Sequence, residues 1–355
     1  MCLFWRFDYV TFFHVPILGN ICYISTSRYF PRLNDIKKRI KKQQEEMLSN
    51  KDTTSYSYMD DNEHFADVFN YFLYNGKQVI KPNDLVTANS VEKAIINKLG
   101  NIMTTKKARD LIKGVNIKHG NNVTYALLGI ENQSLVHYAM PVRNMLYDAL
   151  NYASQVTSQS KKLKEEKQSM DSSEFLSGFI KENKLFPVIT LVINWSNKKW
   201  NGPTSLYDML VDVDPAIQEY IDDYKIKLID PHSIRDFNKF HTMLGDVLEF
   251  IKEQNDEQFL EKAIEKKGKN WVLDIDSINV INTFTGFDIS VEEEQEGNME
   301  MCRAAAAIVE KGESIKLISM VCKKMAKGKS IEEIAEDLDE SIDTIHEIYN
   351  VALEF

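Results

Sequence analysis

The sequence predicts an α/β fold followed by a helical C-terminal region. Two segments rich in Val, Ile and Leu flank "HGNN" and read as a hairpin, further apolar strands alternate with helical segments after it, and the tail bears apolar stripes at helical spacing. The first core helix is "NEHFADVFNYFLYNG", which sets Phe65, Val68, Phe69 and Phe72 on one face and stops at Gly76. "KQVIKPNDL" turns on Pro82, and "VEKAIINKLGNI" continues helically. Residues 109–118 and 123–133 are the two hairpin strands. "MPVRNMLYDALNYASQV" begins a helix with Pro141 at its first position and an apolar stripe of Val142, Met145, Leu146, Ala149 and Ala153, expected to face the core. "SQSKKLKEEKQSMDSS" is a solvated extension or loop, "LFPVITLVINW" a buried strand, "TSLYDML" a short helix and "YKIKLID" another strand. From Phe240 to about Lys267 the pattern is helical, "NWVLDIDSINVINTFTG" is ambiguous, and "SVEEEQEGNMEM" is an acidic break.

With 355 residues, 43% of them hydrophobic, the chain can bury one large core or two modest ones. A formal net charge of -10 excludes a surface coated for nonspecific nucleic-acid binding, so any such site must be local. Cys2, Cys22, Cys302 and Cys322 show no CxxC spacing, which indicates reduced thiols, a cytoplasmic location and no structural zinc. The histidines include no HExxH pair. The apolar first 25 residues are interrupted by Asp8, His14, Pro16 and Asn20. They make a poor spanning helix and lack a good cleavage site, so no stable membrane association is expected. The charged stretch "DIKKRIKKQQEEMLSNKD" reads as an exposed helix and linker, with the domain starting at Met59.

The tail divides into three short helices. Ser330 and Glu333 form a capping box, and Ser341 starts the last helix. The spacing is that of a helix-turn-helix, but the would-be recognition helix carries Glu340, Asp343 and Glu347 with no Lys or Arg. Such a helix brings like charge to phosphate, so its stripes are expected to pack on another surface and to support self-association rather than read DNA.

The chemistry is concentrated in "LLGIENQ", where an apolar strand ends in Glu131, Asn132 and Gln133. If Gly120-Asn121 is a two-residue loop, opposed residues have numbers summing to 241 and Asp110 faces Glu131; with Asn121-Asn122 as the loop, Asp110 faces Gln133, and a three-residue loop breaks the relation. Two carboxylates so placed repel by about 1–4 kcal/mol. A divalent cation relieves this, since Mg²⁺ takes a few carboxylate oxygens and keeps several waters. The carbonyl of Asn132 would add an oxygen, and the amide of Gln133 would orient water. The plainer alternative is that Glu131 and Gln133 finish a strand at the surface. Arg143 also has two readings: a phosphate contact beside the helix N-terminus, with Tyr147 one turn on, or an ion pair to Glu131 or Asp148. Lys198, Lys199 and Trp200 combine charge with an aromatic surface that would suit DNA, in what is otherwise an ordinary loop.

Five strings in order, "FADVFNYFLYNGKQVIKPNDL", "ALLGIENQSLVHYAMPVRNMLYDALNY", "FPVITLVINWSNKKWNGPTSLYDML", "INTFTGFDISVEEE" and "GKSIEEIAEDLDESIDTI", resemble the recombination-promoting nuclease (Rpn) family of PD-(D/E)XK nuclease family transposases. The resemblance implies a restriction-endonuclease-like mixed sheet flanked by helices, and Mg²⁺-dependent DNA cleavage with Mn²⁺ as a substitute ion. It assigns the leading acidic position to Asp110, the Glu of the motif to Glu131 and its last position to Gln133, where the superfamily usually has Lys. Glu63 and Asp67 are candidates for an accessory acidic group, against the alternative of a solvated helix face. The expected organisation is an extension at 1–58, a nuclease-like core at 59–238, a helical and acidic connection at 239–312 and a tail at 313–355. The expected function is a Mg²⁺-dependent DNA endonuclease, with DNA as partner and a homo-oligomer through the C-terminal helices. The alternative is a catalytically weak or inactive DNA-binding or assembly protein that retains the fold.

Overall fold

The strand that ends in Glu131-Asn132-Gln133 runs through the middle of a five-stranded mixed sheet. The structure is a computed structural model that describes residues 30–87, 111–119, 122–166, 169–256, 258–268, 271–285, 287, 289, 298–301, 316–325 and 327–353. In chain order the elements are α1 (Phe30–Asp60), α2 (Asn62–Tyr74), β1 (Leu85–Thr87), β2 (Leu111–His119), β3 (Asn122–Gln133), α3 (Met140–Glu165), β4 (Val188–Asn194) and β5 (Lys227–Ile229). These are followed by α4 (Leu244–Glu253), α5 (Phe259–Lys267), β6 (Val272–Asp274), α6 (Ile275–Thr285), β7 (Asn298–Glu300), α7 (316–325), α8 (Ile331–Leu338) and α9 (Ile342–Leu353). The expected helix at 91–102 and the apolar first 25 residues lie outside the described residues. Among the described residues no helix is long and apolar enough to cross a membrane.

The sheet order is β1-β2-β3-β4-β5, with β1, β2 and β3 antiparallel and β3, β4 and β5 parallel. Leu111 pairs with Ile130, and the pairing runs without a bulge to His119 opposite Asn122, the register of a two-residue loop. On one sheet face, Leu128, Ile130, Leu191 and Ile193 join Phe65, Val68 and Phe69 of α2, Leu244, Val247 and Leu248 of α4, and Ile278 and Ile281 of α6 in one core. Residues 244–289, expected as a connection, thus supply a large part of that core. Lys113 of β2 is buried beneath it, donates to the Asp60 carbonyl at 2.5 Å and to Asn62 Oδ1 at 2.6 Å, and has its pKa lowered by burial.

Asp61 caps α2 by accepting from the amides of Glu63 and His64, and Asn75 ends it in the left-handed region. Gly76 follows with φ +90°, and a Cβ there would meet the Lys239 carbonyl at 2.7 Å. Phe72 departs from the expected stripe. It is exposed, while its neighbours Tyr71, Leu73 and Tyr74 are the residues of the last turn that pack against the core.

The larger correction concerns α3. Val142 and Met145 are 40% and 37% exposed, and Ala149 and Ala153 also face solvent. The face turned inward carries Asn144, Tyr147, Asp148, Asn151, Ser154 and Gln155. The reason lies in what it covers: Thr190 donates to Asp148 at 2.6 Å, Tyr224 donates to the same carboxylate at 2.6 Å, and Gln155 bonds both ways with the Phe186 backbone. That sheet face mixes apolar Leu127, Val188 and Val192 with Thr190, Glu131 and Gln133, and polar groups of the helix bond part of what it covers.

The tail also departs from expectation. Val321, Ile334, Ala335 and Ile345 bury one another, with Leu317, Ile331, Leu338 and Ile348 packed around them. The stripes of α7, α8 and α9 therefore close on themselves, and only Ile318 and Ile342 of those expected at a partner surface stay exposed. Ile315 lies outside the described residues. The capping box of Ser330 and Glu333 is formed, and Ser341 accepts from the Thr344 amide at the start of α9.

The chain divides into two units at Thr53/Thr54. In the first, α1 carries exposed pairs Lys41–Glu45 and Lys42–Glu46 one turn apart. In the second, Ser55, Tyr58 and Met59 are buried. The Tyr58 ring stacks on His64 at 4.0 Å between centroids and meets Trp195 edge-on, its hydroxyl bonds Ser277 at 2.9 Å, and burial pushes its pKa upward. A chain beginning at Thr54 is therefore expected to unfold cooperatively in urea with the core stability of the full chain. One beginning at Met59, the start expected from sequence, should be less stable, and Tyr58→Phe should cost about 1 kcal/mol.

Asp337 accepts from Lys324 at 2.7 Å and pairs with Lys329, and these bonds lower its pKa from 3.8 to about 2. A depressed carboxylate pKa gives stability that is present above 3.8 and is lost as pH falls through about 2. Methyl NMR signals of Ile334 and Ile345 should broaden over that window, and Asp337→Asn should reduce the pH dependence.

Candidate functional site

Parallel pairing brings the carboxyl ends of β3 and β4 to one edge, with Gln133 opposite Asn194 and the Trp195 amide donating to the Gln133 carbonyl at 2.9 Å. In open α/β sheets this is the edge where ligands are held. Side chains alternate along β3, so Glu131 and Gln133 share the face covered by α3, while Asn132 points into the main core and accepts from Trp195 Nε1 at 2.8 Å.

Glu131 is 0% exposed, which replaces the alternative of a strand ending at the surface. Its Oε2 lies 3.0 Å from a guanidinium nitrogen of Arg143, on the first turn of α3. Of the two readings for Arg143, the structure shows the ion pair to Glu131; Asp148 is instead held by Thr190 and Tyr224. Removing one member of such a buried pair costs about 3–5 kcal/mol, because the other is left charged in a poor solvent. The Arg143 side chain is 20% exposed and lies 5.6 Å from the ring centroid of Tyr147. Tyr147 is itself buried, so it supports Arg143 from below rather than offering an aromatic surface to DNA. Gln133 Nε2 donates to the Asn132 carbonyl at 2.8 Å, joining two groups that the sequence assigned to separate roles.

Lys198 and Lys199 are exposed on the loop that leaves this edge after β4, and Asn194 holds the loop by donating to the Lys198 carbonyl at 2.9 Å. Trp200 corrects the expectation of an aromatic surface beside them: it is buried with Met140, Val192 and Ile226. Asp230 anchors the same loop, accepting from the Trp200 amide at 3.2 Å and from Asn194 at 3.1 Å. Asp110 lies outside the described residues.

Glu63 and Asp67 belong to α2, on the opposite sheet face from Glu131, and the structure does not bring them together with it. Asp67 is neither solvated nor open to a ligand. It accepts from the amides of His241 at 2.9 Å and Thr242 at 2.8 Å and from the Thr242 hydroxyl at 2.8 Å. This ties α2 to the segment entering α4.

Sequence reasoning missed His137 and Asn144, and named Asp148 only as a possible partner of Arg143. His137, half-buried in the β3–α3 connection, has its pKa lowered by burial and then by the Arg143 charge. Its Nδ1 and both amide atoms of Asn144 are buried without a hydrogen-bond partner among the described residues. A signal for the two α3 residues existed: Asn144, Asp148, Asn151 and Gln155 recur at helical spacing as a polar stripe.

A hard divalent cation takes oxygen donors. The Glu131 carboxylate, the Asn132 carbonyl and the Gln133 amide oxygen are of that kind, so the donor chemistry fits Mg²⁺ or Mn²⁺. Among the described residues, however, no group of three or more His, Cys, Asp and Glu could hold a metal ion. A complete set would need a carboxylate from beyond them.

Residues 59–270 match a family model described as "Putative transposase, YhgA-like". No curated protein and no solved structure matches the chain significantly.

The bonds of Asp67 predict a structural phenotype. Asp67→Ala should lower stability by about 2–4 kcal/mol in urea melts, since it strands buried donors. At temperatures where the variant stays folded, its Mn²⁺ and DNA affinities should equal those of the parent protein.

Proposed function

Because the chain belongs to the YhgA-like transposase family, we propose that it is a divalent-cation-dependent DNA endonuclease acting at the carboxyl edge of β3 and β4. The observation that carries this reading is a sealed carboxylate, Glu131, ending a central strand with Gln133 on the same face and Arg143 beside it. In a stability role alone, an apolar residue would serve as well as a buried ion pair.

Asp110 is the second carboxylate in this reading. It precedes Leu111, whose partner is Ile130, and one further step of the same pairing would face Glu131. Asp110, Glu131 and the Asn132 carbonyl would hold the cation, which supplies Lewis acidity toward a phosphodiester oxygen and a more acidic water. Gln133 would orient that water as a neutral donor and acceptor. Without the usual Lys charge at this position the site offers less stabilisation to the developing negative charge, so slow turnover is expected. Arg143, Lys198 and Lys199 would meet phosphates, and the two lysines stand exposed on the loop from the same edge. DNA contact would thus be confined to one edge of an otherwise acidic protein.

A second reading is a catalytically inactive DNA-binding or assembly protein. It is favoured by the pairing of Glu131 with Arg143 and by the lack of a three-member ligand cluster among the described residues. Plasmid nicking separates the two. With Mg²⁺ or Mn²⁺, the purified protein should nick supercoiled DNA, and Asp110→Ala and Glu131→Ala should each abolish nicking by the folded protein. Gln133→Lys should retain or increase the rate. Cation-independent nicking, or full activity in either alanine variant, rules out the proposed centre; DNA binding without nicking under any cation selects the second reading.

A further inference from the structure

The Glu131 carboxylate is fully enclosed, while the side chain of Arg143 that neutralises it is 20% exposed. A cation approaching along the Arg143 side meets positive charge before it meets Glu131. A guanidinium and a metal ion also compete for the same carboxylate lone pairs, and neither tolerates the other at contact distance. Once a divalent cation is held by two carboxylates, their charges cancel, and the Arg143 charge is left over beside a site that binds one phosphodiester charge.

We propose that Arg143 is an exchangeable counter-ion: it holds Glu131 in the metal-free protein, gives up the carboxylate to a divalent cation, and is thereby released to bind a DNA phosphate. This rests on the cation-dependent reading of the site. It unites the two sequence readings of Arg143 as successive states of one side chain. The surroundings suit such a swing. Arg143 stands on the first turn of α3, and its guanidinium is 5.6 Å from the Tyr147 ring centroid. Metal-free protein would accordingly bind DNA weakly at this edge, and cation and DNA would reinforce each other's binding.

The test measures binding without turnover. Mn²⁺ affinity is measured by titration calorimetry for the full chain, Glu131→Gln and Arg143→Gln, and affinity for a short DNA duplex is measured with and without Ca²⁺. Glu131→Gln should abolish Mn²⁺ binding. Arg143→Gln should tighten Mn²⁺ binding by about tenfold, because a competing charge is gone, and should lose most of the Ca²⁺-dependent gain in DNA affinity. If Arg143→Gln does not fold, Arg143→Lys replaces it, and the shorter reach should still tighten Mn²⁺ binding. Mn²⁺ affinity that is unchanged or weakened in the folded arginine variant, while Glu131→Gln abolishes binding, overturns the exchange and leaves the cation site standing. Absence of Mn²⁺ binding in the full chain and in the arginine variant overturns both.

Discussion

The structure depends on the burial of β3 on both faces. From Ala126 to Gln133 every residue of this strand is buried, so both sides of the sheet must be covered by complementary surfaces. One side is conventional: α2, α4 and α6 cover Leu128 and Ile130 with aromatic and aliphatic side chains. The other side carries Glu131 and Gln133 next to Thr190, and an apolar helix there would strand their polar atoms at a cost of about 1–3 kcal/mol each. The polar inner face of α3 and the position of Arg143 are the response to that constraint.

How much was legible in the sequence follows from which physical rule governed each element. The hairpin was legible from strand parity, which left two registers for a two-residue loop, and the pairing of Leu111 with Ile130 is the one in which opposed numbers sum to 241. The α/β class, the start of α2 after Asp61 and the capping box at Ser330 were legible for the same reason: each is set by local backbone chemistry. The orientation of α3 was not, because hydrophobic periodicity assumes an apolar core. Where the sheet offers hydroxyls and carboxylates, Asn144, Asp148 and Gln155 turn inward and Val142 and Met145 turn out. Trp200 misled in the opposite sense, since a loop tryptophan beside two lysines looks like a surface platform but here closes the Met140 and Val192 cluster.

At the candidate site, sequence spacing placed Glu131 and Gln133 on one face at the end of a core strand but did not give their electrostatic state. Spacing gives which groups share a face; it does not give burial, and burial decides whether a carboxylate can stand alone. Glu131 cannot, and the choice of Arg143 as its partner comes from the helix entry fixed by Pro141 and the first turn of α3. The accessory acids illustrate the converse. Glu63 and Asp67 have suitable chemistry and helical spacing, yet α2 lies on the far face, and Asp67 is consumed in holding the 241–242 backbone.

The contact between Tyr58 and Ser277 joins residues 219 positions apart. At about 5–20 residues per second, a ribosome needs about 10–45 s to deliver the second partner after the first. During that interval the aromatic face of α2 and the end of α1 have no α6 to cover them, and the hairpin of β2 and β3 has only part of its eventual core. The domain therefore cannot be secured from its N-terminal end as it emerges. Its complete core waits on late-synthesised chain.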